Sequence, residues 1–187
     1  MEIEKSNKFK KMFKRYGVLG LACVFSIAIA LTIAFTVPND DGKEVGTDTL
    51  KFGLPMSNAV IIKDYAYDRL QFNESLNRWE IHLALDLSSE NAAVYSICDG
   101  VVSSVESNSL DGYVIKIEHA DGFVSVYSSL AEDVKVKAGD KVTRGQQIAI
   151  ASNTATNESK SGGHLHLMML KDGKEVDPNN YLDLQNK

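Results

Sequence analysis

The chain reads as an all-β domain held behind one N-terminal membrane-spanning helix. Short runs of β-branched and aromatic residues, each bounded by Gly, Asp or Asn turn signals, argue for strands. No stretch after Pro38 sustains helical periodicity, which argues against an α-rich core. Residues 17–37 (GVLGLACVFSIAIALTIAFTV) carry no charge, which argues for the membrane helix.

That apolar run is long enough to cross about 30 Å of hydrocarbon at 1.5 Å per residue. Pro38 closes it. Lys5, Lys8, Lys10, Lys11, Lys14 and Arg15 precede it, against Glu2 and Glu4. Excess positive charge stays in the cytoplasm, so residues 1–16 form a cytoplasmic basic tail and everything beyond Pro38 lies outside. A cleaved signal peptide calls for a shorter apolar run with a small-residue site after it. The A-x-A of this region, Ala28-Ile29-Ala30, sits in mid-run. A lipid anchor at Cys23 is disfavoured because Leu19-Gly20-Leu21-Ala22 matches poorly and the apolar run continues past it.

Residues 38–57 read as an acidic, flexible linker and residues 58–187 as the extracytoplasmic domain. The whole of the 187-residue chain has 20 basic and 25 acidic residues; without those before Pro38, residues 38–187 keep a net charge of −9. An acidic domain argues against nucleic acid and against anionic surfaces bound by charge alone. Cys23 lies inside the apolar run and so cannot pair with Cys98, which reads as a small buried hydrophobe.

Within the domain, residues 59–62 form a β-branched run. Residues 79–87 alternate, with Trp79, Ile81, Leu83 and Leu85 on one face. Residues 94–105 are apolar around Asp99-Gly100. Residues 113–119 and 123–130 are joined by Ala120-Asp121-Gly122, a strong hairpin signal. Residues 134–142 are interrupted at Ala138-Gly139-Asp140, residues 147–151 and 164–170 follow, and Asp172-Gly173 marks a last hairpin. Many short strands with regular turns imply an antiparallel barrel or sandwich.

All four histidines lie in this domain: His82, His119, His164 and His166. His82 and Asp86 form H-x-x-x-D; His164 and His166 form H-x-H. On a strand His164 and His166 face the same way, about 6.6 Å apart, while Leu165 and Leu167 point to the opposite face. A straight strand would hold His82 and Asp86 about 13 Å apart, too far for one ion with bonds near 2 Å, so the chain must bend between them. Each motif alone is better explained by surface or core histidines. Together they make a metal site as good a reading as the bland one.

These residues carry a resemblance. Residues 79–182 resemble the lysostaphin/LytM-type zinc endopeptidases, through H-x-x-x-D, CDGVV (98–102), VKAGDKVTRGQQIA (136–149) and SGGHLH (161–166), in that order. The resemblance implies an antiparallel LytM-like β-sheet or barrel-sandwich fold, peptidoglycan crosslinks as the substrate, and one Zn2+ held by His82, Asp86 and His166. It makes His164 the catalytic base or transition-state donor. Two positions depart from the family pattern. Ala84 stands where H-x-G-x-D has glycine, and alanine disfavours φ > 0. Ser129 stands where Y-x-H-L has a second site histidine, in Tyr127-Ser128-Ser129-Leu130. Serine cannot carry a proton near neutral pH, and loss of such a group costs on the order of 10²–10⁴ in rate. The implied protein keeps its metal and is impaired as an enzyme, with His164 vestigial or weak.

The single span, the acidic spacer and HADGFVSVYSSL (119–130), with serine at the lost histidine, are similar to the sporulation-specific branch of this family, the stage II sporulation protein Q proteins of endospore formers. That likeness implies a forespore-membrane protein. Its domain would dock in the space between forespore and mother cell, on a stage III sporulation protein AH-like partner in the opposite membrane, as part of a channel or engulfment complex. An active, membrane-tethered zinc peptidoglycan endopeptidase is the alternative. An activator of other wall hydrolases is a weaker reading, because such members lose metal ligands that this chain keeps.

Overall fold

A computed structural model describes residues 50–184. The expected cytoplasmic tail, the membrane helix and linker residues 38–49 lie outside the described residues.

The domain is built from short antiparallel strands. Its main sheet begins with β1 (Val60–Lys63) paired to β4 (Leu85–Ser88), which pairs with β11 (Leu165–Lys171). Next come β8 (Phe123–Leu130), β7 (Gly112–His119), β6 (Gly100–Asn108) and β9 (Lys141–Val142), with β12 (Lys174–Val176) paired to β11. Two small sheets complete it: β5 (Ala93–Tyr95) with β10 (Gln147–Ile150), and β2 (Ala66–Asn73) with β3 (Arg78–His82). The mostly antiparallel β fold expected from the sequence is the one present.

The β7–β8 hairpin turns at the expected residues. Asp121 (φ 55) and Gly122 (φ 70) both take left-handed backbone. A Cβ at Gly122 would sit 2.3 Å from Asp172 Oδ1, so glycine answers both the backbone and the space there. At Gly100 the need is contact alone: a Cβ would meet Glu118 O at 2.4 Å, where β6 runs against β7.

Period-two alternation sets the core. Along β11, Leu165, Leu167 and Met169 are fully buried while His166 and Met168 look to the other face. Leu85, Leu87, Ile115, Ile117 and Ile148 pack with them. Packing starts ahead of the expected domain boundary at residue 58. Met56 is buried, and Phe52 stacks edge-on against Phe123 and Tyr181.

Three elements differ from their expectation. Residues 79–87 are two strands, parted at Leu83-Ala84. Trp79 and Ile81 do share a face, but it is the exposed face of the β2–β3 hairpin, where Trp79 stacks on Phe72 at 5.4 Å. Residues 94–105 break into β5 and β6 at Ser96–Asp99. Residues 134–142 are a strand only at their end. Val136 is still buried and Lys135 N–H still bonds Ile148 O at 2.8 Å, so the apolar pattern reported packing without regular pairing.

Tyr127, fully buried on β8, ties the main sheet to the β5–β6 connection. Its Oη accepts from Ile97 N–H at 2.9 Å and from Ser125 Oγ at 3.1 Å. Burial pushes the phenol up to about 12, against the pull of these donors. An unfolded tyrosine titrates near 10. Below pH 10 both states hold the proton; between about 10 and 12 the unfolded state loses it first, so stability falls with rising pH. Unfolding free energies from urea titrations taken across that range should fall for wild type, by roughly 3 kcal/mol in all, and this tyrosine's share of the fall should vanish in Tyr127→Phe. An equally steep alkaline fall in Tyr127→Phe would assign it to other groups.

Candidate metal centre

Strand register brings the first two residues together. On β11, His166 stands directly between Asp86 of β4 and Ser128 of β8. Directly opposed side chains on neighbouring strands are within contact range. His166 Nδ1 accordingly lies 2.7 Å from Asp86 Oδ1.

A bend brings in the third. His82 ends β3, and the chain turns at Leu83-Ala84 before entering β4. His82 Nε2 then lies 3.2 Å from Asp86 Oδ1. Ala84 is fully buried and is not among the residues with positive φ, so alanine makes this bend without the backbone freedom reserved for glycine. His82 Nδ1 sits 2.9 Å from Asp64 O. A backbone carbonyl there accepts a hydrogen bond from Nδ1–H and leaves the Nε2 lone pair facing the group, the usual support of a metal-binding histidine.

Glu158 joins them. It sits on a 3₁₀ turn, Thr156–Ser161, between β10 and β11, and is buried. Its Oε2 is 2.9 Å from His166 Nδ1 and 3.5 Å from His164 Nε2. Its Oε1 is 3.1 Å from Lys63 Nζ and 3.7 Å from His82 Nε2. It lies in neither H-x-x-x-D nor H-x-H. The available signal was slight: one acid in the polar loop leading into SGGHLH.

One ligand atom from each of His82, Asp86, Glu158 and His166 can be chosen so that all lie within 4.8 Å of one another. Two buried atoms here, His82 Nε2 and Asp86 Oδ2, have no hydrogen-bond partner; the short His82–Asp86 approach lacks hydrogen-bond geometry. Unsatisfied buried donors and acceptors are rare and call for an explanation. Imidazole and carboxylate are ordinary ligands of zinc, so this set could hold such a cation. Without one, charge is balanced by protons. Burial works against a charged His166, but Asp86 and Glu158 push its imidazole up to about 10. Burial likewise opposes ionised Asp86 and Glu158, yet their histidine contacts hold both below the ordinary carboxylate range.

His164 and Ser129 are placed differently. His164 is fully buried; its Nδ1 lies 2.9 Å from Gly162 O, and Nε2 reaches the group only through Glu158. Ser129 has left-handed backbone (φ 59) at a bulge where β8 gains a residue on β7. Its hydroxyl donates to Ser152 O at 2.9 Å, so its one proton is spent in the wall of the domain. His119 lies apart, with Nδ1 on Asp99 O and Nε2 on Ser125 Oγ. Beside the four-residue group runs an open groove of about 470 Å³, walled by Ile81, Leu83, Leu110 and Met168.

The sequence and fold are similar to those of known proteins. Residues 80–178 match the model of Peptidase family M23. Stage II sporulation protein Q of Bacillus subtilis (strain 168) is 31% identical over 158 residues, which cover 78% of this chain and 55% of that protein. Peptidoglycan DD-endopeptidase ShyA of Vibrio cholerae is 34% identical over 83 residues, covering 44% of this chain and 18% of that one. The chain thus spans about half the length of the first of these relatives and far less of the second. Among solved structures, a chain of the SpoIIQ-SpoIIIAH pore forming complex superposes with a TM-score of 0.63 at 28% identity, over 72% of this chain and 92% of that one. A second SpoIIIAH and SpoIIQ complex gives 0.61 at 28% identity, over 70% and 99%.

Proposed function

Because the chain belongs to Peptidase family M23 through residues 80–178, we propose that it is a membrane-anchored sporulation protein whose M23 domain serves as a docking module. The domain meets a SpoIIIAH-like protein across the space between forespore and mother cell, within a channel or engulfment complex. One observation carries this reading: the described domain follows, over nearly their whole length, chains solved in complexes of SpoIIQ with SpoIIIAH. The charge-free segment 17–37 with its basic flank supports the anchor and an extracytoplasmic domain.

One zinc ion belongs to this reading, held by His82, Asp86 and His166. A bound zinc can polarise a carbonyl and lower the pKa of water. The surroundings favour retention of the metal over use of it. Ser129 has no free proton to offer the groove, and His164 is walled in behind Glu158.

The test uses the purified full-length chain in mild detergent. It is expected to carry about one zinc per chain, to retain the SpoIIIAH-like protein of the same cell on a column, and to release no soluble fragments from purified cell wall. Zinc-dependent release by the wild type, abolished in His82→Ala, would instead establish the second reading, an active peptidoglycan endopeptidase. That reading is favoured by the assembled His82–Asp86–His166 group. Ser129→His separates the two further. Histidine tolerates left-handed backbone better than most residues, so a gain of wall hydrolysis would mark a site lacking only that side chain.

A further inference from the structure

We infer that Glu158 is a fourth protein ligand that closes the metal centre, converting a coordination open to water into a closed structural one. The inference rests on the zinc reading above and adds a residue that lies in neither H-x-x-x-D nor H-x-H.

Glu158 is held in place. Thr156 N–H bonds Ser109 O at 3.1 Å and Asn157 N–H bonds Leu110 O at 3.2 Å, fixing the turn to the β6–β7 connection. Asn73 Nδ2 bonds Asn157 O at 3.0 Å, and Lys160 N–H bonds Ser75 Oγ at 2.9 Å, fixing it to the β2–β3 hairpin. The carboxylate is therefore delivered by a turn tied on two sides, not by a free loop. Lys63 holds Oε1, and Oε2 faces His166.

The spacing suits a four-ligand ion. Four atoms bound at about 2.0–2.1 Å in a tetrahedron stand about 3.3 Å apart. With Glu158 Oε2 as its donor, the contacts of 2.7 and 2.9 Å to His166 and of 3.2 Å between His82 and Asp86 lie near that value, and one atom from each of the four residues can be chosen with all within 4.8 Å. The charge suits it too. Asp86 and Glu158 together match a divalent ion, and Lys63 lies against the outer carboxylate. Catalytic zinc sites keep three protein ligands and an open position; structural sites fill all four. A carboxylate in the fourth position takes the place of the water that hydrolysis requires. This reason for inactivity is independent of Ser129.

Cobalt in place of zinc makes the coordination visible. The full-length chain in detergent, loaded with Co2+, is expected to show a visible spectrum unchanged by millimolar acetohydroxamate, a ligand of open sites. In Glu158→Ala the same addition should shift the bands. Zinc affinity by chelator competition should fall at least about 10-fold in Glu158→Ala and in the near-isosteric Glu158→Gln, as for loss of other supports of a metal site. Circular dichroism of the metal-free proteins checks that both variants fold. A wild-type spectrum that shifts as readily as that of the variant overturns the inference and leaves the zinc reading standing. So does unchanged affinity in both variants. A wild type that takes up neither cobalt nor zinc removes the zinc reading, and this inference falls with it.

Discussion

Asp86→Ala is expected to lower zinc affinity by more than about 100-fold, beyond the 10–100-fold typical of losing an outer support. Asp86 is the hub of the group. It is fully buried, its Oδ1 is shared by His82 and His166, and its Oδ2 has no other partner. Zinc bound at about 1,000 times its Kd adds about 4 kcal/mol of stability. Thermal melting with and without a chelator therefore supplies an internal comparison. The chelator should lower the wild-type melting temperature markedly and leave that of Asp86→Ala unmoved. A wild type indifferent to chelator, or a variant as sensitive as the wild type, would count against the ligand set. The metal-free variant should also be less stable than the metal-free wild type, since His166 loses one of its two carboxylates.

The largest loss of stability is expected at Tyr127→Ala. Truncating a buried aromatic costs about 3–5 kcal/mol. Here the change also orphans Ile97 N–H, a buried donor whose partner is the phenol, at a further cost of about 1–3 kcal/mol. Domains of this size hold about 5–15 kcal/mol in total, so the variant should be half unfolded at a far lower urea concentration or fail to accumulate. Tyr127→Phe keeps the ring but also orphans Ile97 N–H, so near pH 7 it should lose about 1–3 kcal/mol, well short of the loss in Tyr127→Ala. A Tyr127→Ala stability within about 1 kcal/mol of wild type would mean that the core collapses to fill the gap.

Some of this was legible in the chain and some was not. The strands of 113–119, 123–130 and 164–170 stand within a residue or so of expectation, because alternation and a glycine turn are local properties. The bend at Leu83-Ala84 was legible for a different reason: His82 and Asp86 could not share an ion on a straight strand. The exposed aromatic face of β2–β3 was not legible. Trp79 and Ile81 alternate as core residues do, and only the pairing partner decides which way an amphipathic strand faces.

The site divides along the same line. H-x-x-x-D and H-x-H name His82, Asp86, His164 and His166 from the chain alone, since each motif is short enough for local geometry to set its parity. That parity does not tell which histidine meets the Asp86–Glu158 carboxylates directly. The pairing of β11 with β4 sets His166 opposite Asp86, while the Thr156–Ser161 turn interposes Glu158 before His164. Ser129 was visible as a substitution, but the bulge that turns its hydroxyl onto Ser152 was not. Glu158 belongs wholly to the tertiary structure. It lies in no motif and on no periodic element, and its position depends on Lys63, 95 residues earlier, and on two hairpins that hold its turn. Contacts between groups so distant in the chain have no local signature, because the loop between them can close in many ways and only the packed fold selects one.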